Sequence, residues 1–141
     1  MTVIEALRQY FKQFPRLQEE RLDMNCLQSK TDSYSIDSVP GESVLTRYLD
    51  GSTVRRCLFT ISGRMYHSAD LKNQDSNMAF FEDLEAWIER KTLFMYLPEL
   101  GEKRKARSLE VTLSGYPYIL DENGETARYQ IQCRLTYLQE V

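Results

Sequence analysis

Hydrophobic and polar residues alternate most regularly near the end of the chain. Ala127, Tyr129, Ile131, Cys133, Leu135 and Tyr137 are apolar or aromatic, and Arg128, Gln130, Gln132, Arg134 and Thr136 between them are polar. Successive side chains of a strand point to opposite faces, so Ala127 to Leu138 predicts one long strand with a dry face and a wet face. It contains neither Gly nor Pro, which suits a strand paired on both edges, and the rest of the chain should supply the cover for its dry side.

The upstream pattern supplies that cover. Thr2 and Glu5 form a capping box, and Ile4, Leu7, Phe11 and Phe14 recur at helical spacing until Pro15, predicting a short amphipathic helix. Leu22 to Gln28 alternates weakly and reads as a short strand. Lys30 to Ser43 is rich in Asp, Ser, Pro and Gly, which is turn chemistry around one extended piece. Val44 to Leu49 and Thr53 to Arg64 are β-rich runs separated by Asp50-Gly51-Ser52, a hairpin signal because Gly accepts the positive φ that a tight turn requires. Met65 to Ser76 is polar and reads as a loop of about twelve residues, long enough to act as a contact arm.

The best helix is expected from Asn77 to about Phe94, capped by Asp75, Ser76 or Asn77. Phe80, Phe81, Leu84, Trp87 and Ile88 form its apolar stripe with Lys91 at the edge. Early acids and late bases suit the helix dipole. Gly101 to Arg107 reads as a charged loop, and Arg107 to Leu113 as a strand with Leu109, Val111 and Leu113 inward. Gly115 to Tyr118 and Asp121 to Gly124 then turn the chain into the last strand. The expected fold is α+β: an antiparallel or mixed sheet with two main helices on one face, as a single domain over residues 1–141.

Composition adds limits. The 141 residues suit one domain, and a net charge of −3 gives no overall positive field for gripping nucleic acid. Cys26, Cys57 and Cys133 are odd in number and lack CxxC spacing, so they read as three reduced core thiols rather than a disulfide framework or zinc site. No apolar run approaches the ~20 residues of a membrane helix, and the first residues lack the pattern of a signal peptide. No metal and no cofactor is expected.

Candidate chemistry is sparse. His67, the only histidine, lies between Tyr66 and Ser68 with Asp70 close by, but no nucleophile elbow accompanies it, and it reads as a surface-loop residue. A small hydrolase would have to gather His67 with Ser62 or Ser68. Asp50-Gly51-Ser52 lacks the following oxygen ligands of a calcium loop. Glu82, Asp83, Glu85 and Glu89 lie beside or opposite the apolar stripe and solvate the helix. Two polar surfaces remain: the cluster Lys103, Arg104, Lys105 and Arg107, and the wet strand face with Arg128 and Arg134.

Tyr48-Leu-Asp-Gly-Ser52, Cys57-Leu-Phe59, Phe80-Phe81, Trp87-Ile88, Leu97-Pro98 and Tyr129 to Tyr137 follow one another in an order and spacing that resembles one known family. It is that of the tail terminator, or minor capsid, proteins of long-tailed phages and prophages of Gram-positive bacteria. The resemblance runs from about Leu7 to Tyr137 and lies in the succession, since no single motif is unique. It implies a non-enzymatic virion protein, made in the host cytoplasm, that forms a ring, with six subunits expected, on the head-proximal end of the tail tube. Such a ring stops tube growth and offers a joint to the head-tail connector protein, and DNA passes through its lumen without specific binding. The implied partners are therefore further copies of itself, the tail tube protein and the connector, with no membrane. Subunit or partner contacts are expected at His67, Asp70, Lys103, Arg104, Lys105, Arg107, Arg128 and Arg134, through polar and loop surfaces. Another neck or head-completion protein of the same assembly is the alternative.

Overall fold

The computed structural model describes residues 1–29, 32–41, 43–66, 71–113, 118–120 and 125–141, without the side chains of 71–73 and 118–120. His67 and Asp70 lie outside the described residues, as do the expected turn Asp121 to Gly124 and the bend Gly115 to Tyr118 except for Tyr118, which begins a strand.

Two strands of 14 residues each, β4 (Thr53–Tyr66) and β7 (Thr126–Gln139), form the axis of the fold, antiparallel and paired from Thr53↔Gln139 to Tyr66↔Thr126. Around them lie β1 (Leu22–Met24), β2 (Ser33–Val39), β3 (Val44–Arg47), β5 (Arg104–Leu113) and β6 (Tyr118–Leu120). The seven described strands run β1-β2-β4-β7-β5, with β3 also beside β4 and β6 beside β7; β1 and β2 are parallel and every other pair is antiparallel. The protein is thus an α+β domain with a mixed sheet. Its last strand is paired on both sides, and its odd residues from Ala127 to Tyr137 are all buried.

The helices α1 (Val3–Phe11) and α2 (Leu71–Leu93) lie side by side on the dry face. Thr2 caps α1, its hydroxyl accepting from the Glu5 amide at 3.1 Å. Phe81, Leu84 and Ile88 are fully buried, one helical face at i, i+3 and i+7. The Trp87 ring meets Tyr10, Phe11 and Phe14 at centroid distances of 5.2, 5.9 and 5.6 Å, and Phe11 reaches Phe59 in β4 at 5.8 Å. Phe11 of α1 thus links the Trp87 ring to Phe59 in the sheet. A Cβ at Gly63 would lie 3.1 Å from the Tyr34 ring, which stacks on Phe80, so a side chain there would have to press that ring aside by a few tenths of an ångström.

Several boundaries differ from expectation. α2 starts at Leu71, so Met65 to Ser76 is not a twelve-residue arm: β4 occupies Met65 and Tyr66, and Asp75, Ser76 and Asn77 lie inside the helix. Asn77 tethers that helix to the sheet by donating to the Tyr66 carbonyl at 2.8 Å. The strand expected from Leu22 to Gln28 ends at Met24, where Asn25 turns the chain with φ 52°. Ser33–Val39, read mostly as turn chemistry, is a full strand in the sheet. Its serines survive burial because each finds a partner, Ser33 Oγ donating to the Gln28 carbonyl at 3.0 Å and Ser35 Oγ to Asp37 Oδ1 at 2.6 Å.

The Asp-Gly hairpin forms, with Gly51 at φ 93°, but β3 ends at Arg47 and the connection runs over 48–52. β5 begins at Arg104, so most of the expected charged loop is strand. Irregular register at Ala106/Ser108 and Val111/Leu113 changes the facing of β5: Leu109 is buried, but Leu113 pairs with Gln132 and lies on the polar side, exposed. Of the three cysteines expected in the core, only Cys133 is fully buried; Cys57 is partly so, and Cys26 is exposed beyond the end of β1. No disulfide joins them.

Candidate interaction surface

The polar face of the sheet carries side chains in cross-strand rows. One row is Asp23, Ser35, Ser62 and Gln130; the next holds Asp37, Thr60 and Gln132; on the other side lie Ser33, Arg64 and Arg128. Ser35 and Ser62 are fully buried although no helix covers this face among the described residues, because long neighbours and the segment 25–28 close over them. Asp37 is the hub: its Oδ1 accepts from Ser35, and its Oδ2 from Ser62 at 3.3 Å and from Arg128 at 3.4 Å. The buried Nε of Arg128 has no hydrogen-bond partner among the described residues. Six residues further along β7, about 20 Å away at strand rise, Arg134 pairs with Glu110 of β5 at 2.8 Å. Arg128 and Arg134 therefore share a face, as expected, but serve two separate ion pairs.

The other expected basic cluster is divided by the pleat. Arg104 donates to the Met1 carbonyl at 3.1 Å, on the side where α1 begins. Lys105 faces Glu140 at 3.5 Å, and Lys103 and Arg107 are exposed. The four bases do not act as one free cluster: Arg104 and Lys105 take different partners, and the hollow they both border also carries Glu99 and Glu102.

Exposed apolar groups were not part of the sequence reading, and they are the more distinctive feature. At the end of α2, Leu93, Phe94, Met95 and Tyr96 are all exposed. They form a fixed knuckle: Met95 turns the chain with φ 58°, the Tyr96 amide donates to the Lys91 carbonyl at 2.8 Å, and Tyr10 Oη donates to the Tyr96 carbonyl at 2.7 Å. A non-glycine residue in this left-handed cap carries strain. On one side of the segment lies a hollow of about 210 Å³ bordered by Tyr10, Gln13, Lys91 and Tyr96; on the other, one of about 410 Å³ bordered by Met95, Leu97, Pro98, Leu100, Arg104 and Lys105. A second exposed apolar set, Leu45, Tyr48 and Leu49, marks the β3–β4 hairpin. Four consecutive large apolar residues were a legible signal, since at about 100° per residue a helix cannot turn all of them to one core.

Titration properties follow burial. Tyr10 and Tyr34 are both pushed up to about 12 by desolvation. Burial also raises the Cys57 thiol and, more strongly, that of Cys133. Asp50 is lowered, since the hydroxyl and amide of Ser52 both donate to its Oδ1, at 2.6 and 2.9 Å. Among the described residues no group of His, Cys, Asp and Glu is placed to hold a metal ion, and no helix is long and apolar enough to cross a membrane.

No protein-family model matches this chain, and no curated protein matches it at a significant level.

Proposed function

We propose that the protein is an assembly subunit of a phage tail: a terminator that joins copies of itself in a ring at the head-proximal end of the tail tube and presents a surface to the connector. One structural observation supports the reading. Both helices lie on a single face of the sheet, leaving the other as a broad polar surface across the two 14-residue strands β4 and β7. Its charges are already paired within the subunit, as Arg128 with Asp37 and Arg134 with Glu110. Such a surface stays hydrated before assembly and still offers donors and acceptors to a neighbour, which suits a component that must remain dispersed until the tube is complete. The succession of sequence segments described above supplies the particular setting.

The test is genetic. Phage lacking this gene should produce filled heads together with tails of irregular length that remain unjoined, and the gene supplied in trans should restore infectious particles. Tails of normal length that fail to join heads would instead indicate a neck protein. Normal infectious virions would overturn the assembly reading altogether.

A further inference from the structure

Lys91 stands in the last turn of α2, where a lysine ordinarily finds partners in the terminal carbonyls of its helix. Here those carbonyls are taken: Arg90, Lys91 and Thr92 accept from the amides of Phe94, Tyr96 and Met95 at 3.2, 2.8 and 3.0 Å. The Lys91 ammonium lies instead over two rings, 5.7 Å from the centroid of Trp87 and 5.1 Å from that of Tyr96. Among the described residues it donates no hydrogen bond and has no carboxylate within ion-pair distance. The rings hold the charge in place, but its three N–H groups still call for an oxygen acceptor.

Lys91 borders the hollow of about 210 Å³ between α1 and the segment that follows α2. Buried Ala6 and Tyr10 and half-buried Leu97 give this hollow its apolar lining. Two further polar side chains on it are exposed and hold capacity in reserve. The Gln13 amide makes no hydrogen bond among the described residues. Glu99 is placed by the bridge of its backbone to Lys105, and its carboxylate forms no ion pair among the described residues. The bond from Tyr10 Oη to the Tyr96 carbonyl, 2.7 Å long, ties the two walls together.

We propose that this hollow binds a free α-amino acid with a compact apolar side chain. The carboxylate would sit on the Lys91 ammonium and the Gln13 amide, the α-ammonium at Glu99, and the side chain against Tyr10 and Leu97. The charges select this class. The lining carries one cation and one anion that do not pair with each other, so a lone anion would be set beside Glu99 and a lone cation beside Lys91. A zwitterion complements both. The volume agrees, since it falls below the ~300–1,000 Å³ of pockets for drug-sized molecules, and the mixture of an apolar lining with a few convergent polar groups is that of a small-molecule site. The inference goes beyond the assembly reading and does not depend on it.

The experiment titrates L-leucine into the purified chain to about 50 mM, with a dissociation constant on the order of 1 mM expected for so small a ligand. Binding is followed by amide shifts in NMR and by fluorescence of the single tryptophan, whose ring lies beneath Lys91. Two analogues carry one end each, 4-methylpentanoate the carboxylate and isopentylamine the ammonium. Each should bind about tenfold more weakly than leucine or worse. Lys91→Met, which keeps an apolar stem and removes the charge, should weaken leucine by a similar factor. Glu99→Gln should bring leucine down to the level of 4-methylpentanoate without weakening the latter. Circular dichroism checks folding; should Lys91→Met fail to fold, Glu99→Gln, at an exposed position, carries the test with the three probes. The proposal is overturned by the absence of a saturable response to leucine, by shifts confined to residues away from the hollow, by either analogue binding as well as leucine, or by wild-type leucine affinity in Glu99→Gln.

Discussion

Replacing Trp87 by Ala removes the side chain through which α2 and α1 are joined. Trp87 is 8% exposed, and its ring touches three aromatic rings of the N-terminal segment while the Lys91 ammonium lies 5.7 Å above it. About 120 Å² of apolar surface lost from burial corresponds to about 3 kcal/mol at ~25 cal/mol per Å². A residual cavity of about 50 Å³ after partial collapse adds about 1 kcal/mol at ~24 cal/mol per Å³. The expected destabilisation is therefore about 4 kcal/mol, a large part of the ~5–15 kcal/mol that holds a domain folded. Because this is the single tryptophan, the measurement is urea unfolding followed by circular dichroism rather than fluorescence. Phe14→Ala, measured alone and combined with Trp87→Ala, should give a coupling of about 0.5–1.5 kcal/mol, the excess of an aromatic pair over its area. A loss below about 1 kcal/mol, or strict additivity with Phe14, would refute the claim that α1 is held by this aromatic cluster.

Two further predictions concern titration and thiol access. The phenols of Tyr10 and Tyr34 have folded values of about 12, against an ordinary 10.0. A value raised on folding contributes stability that is complete below the unfolded pKa and lost as pH rises through the folded one, so melting temperature should decline between pH 10 and 12. Replacing both residues by Phe should flatten that decline; an unchanged slope would remove these two groups as its cause. With a thiol reagent at neutral pH, exposed Cys26 should react first and Cys57 slowly, while Cys133 should react only on unfolding; denatured, unreduced protein should titrate three thiols. A single thiol in the denatured protein would mean a disulfide, and rapid labelling of Cys133 would contradict its burial in β7.

Where one residue pattern carried enough hydrophobic contrast, the sequence determined the element by itself. The alternation from Ala127 to Tyr137 specified a strand and its dry face, because one slip in register would bury Arg128, Gln130 and Gln132. Phe81, Leu84 and Ile88 likewise specified the buried face of α2, and Thr2 with Glu5 the start of α1. Tertiary structure decided what local preference could not. Ser33, Ser35 and Asp37 have turn-like chemistry alone, but pairing of β2 with β4 supplies Ser62, and the chain segment above supplies the Gln28 carbonyl, so their polar groups are satisfied inside a sheet. The same holds for surfaces. The basic residues from Lys103 to Arg107 lie close in sequence, yet Arg104 is taken up by the Met1 carbonyl and Lys105 by Glu140. Leu49 looks in sequence like any core residue, and only the completed packing of β3 and β4 places it in water at the hairpin tip.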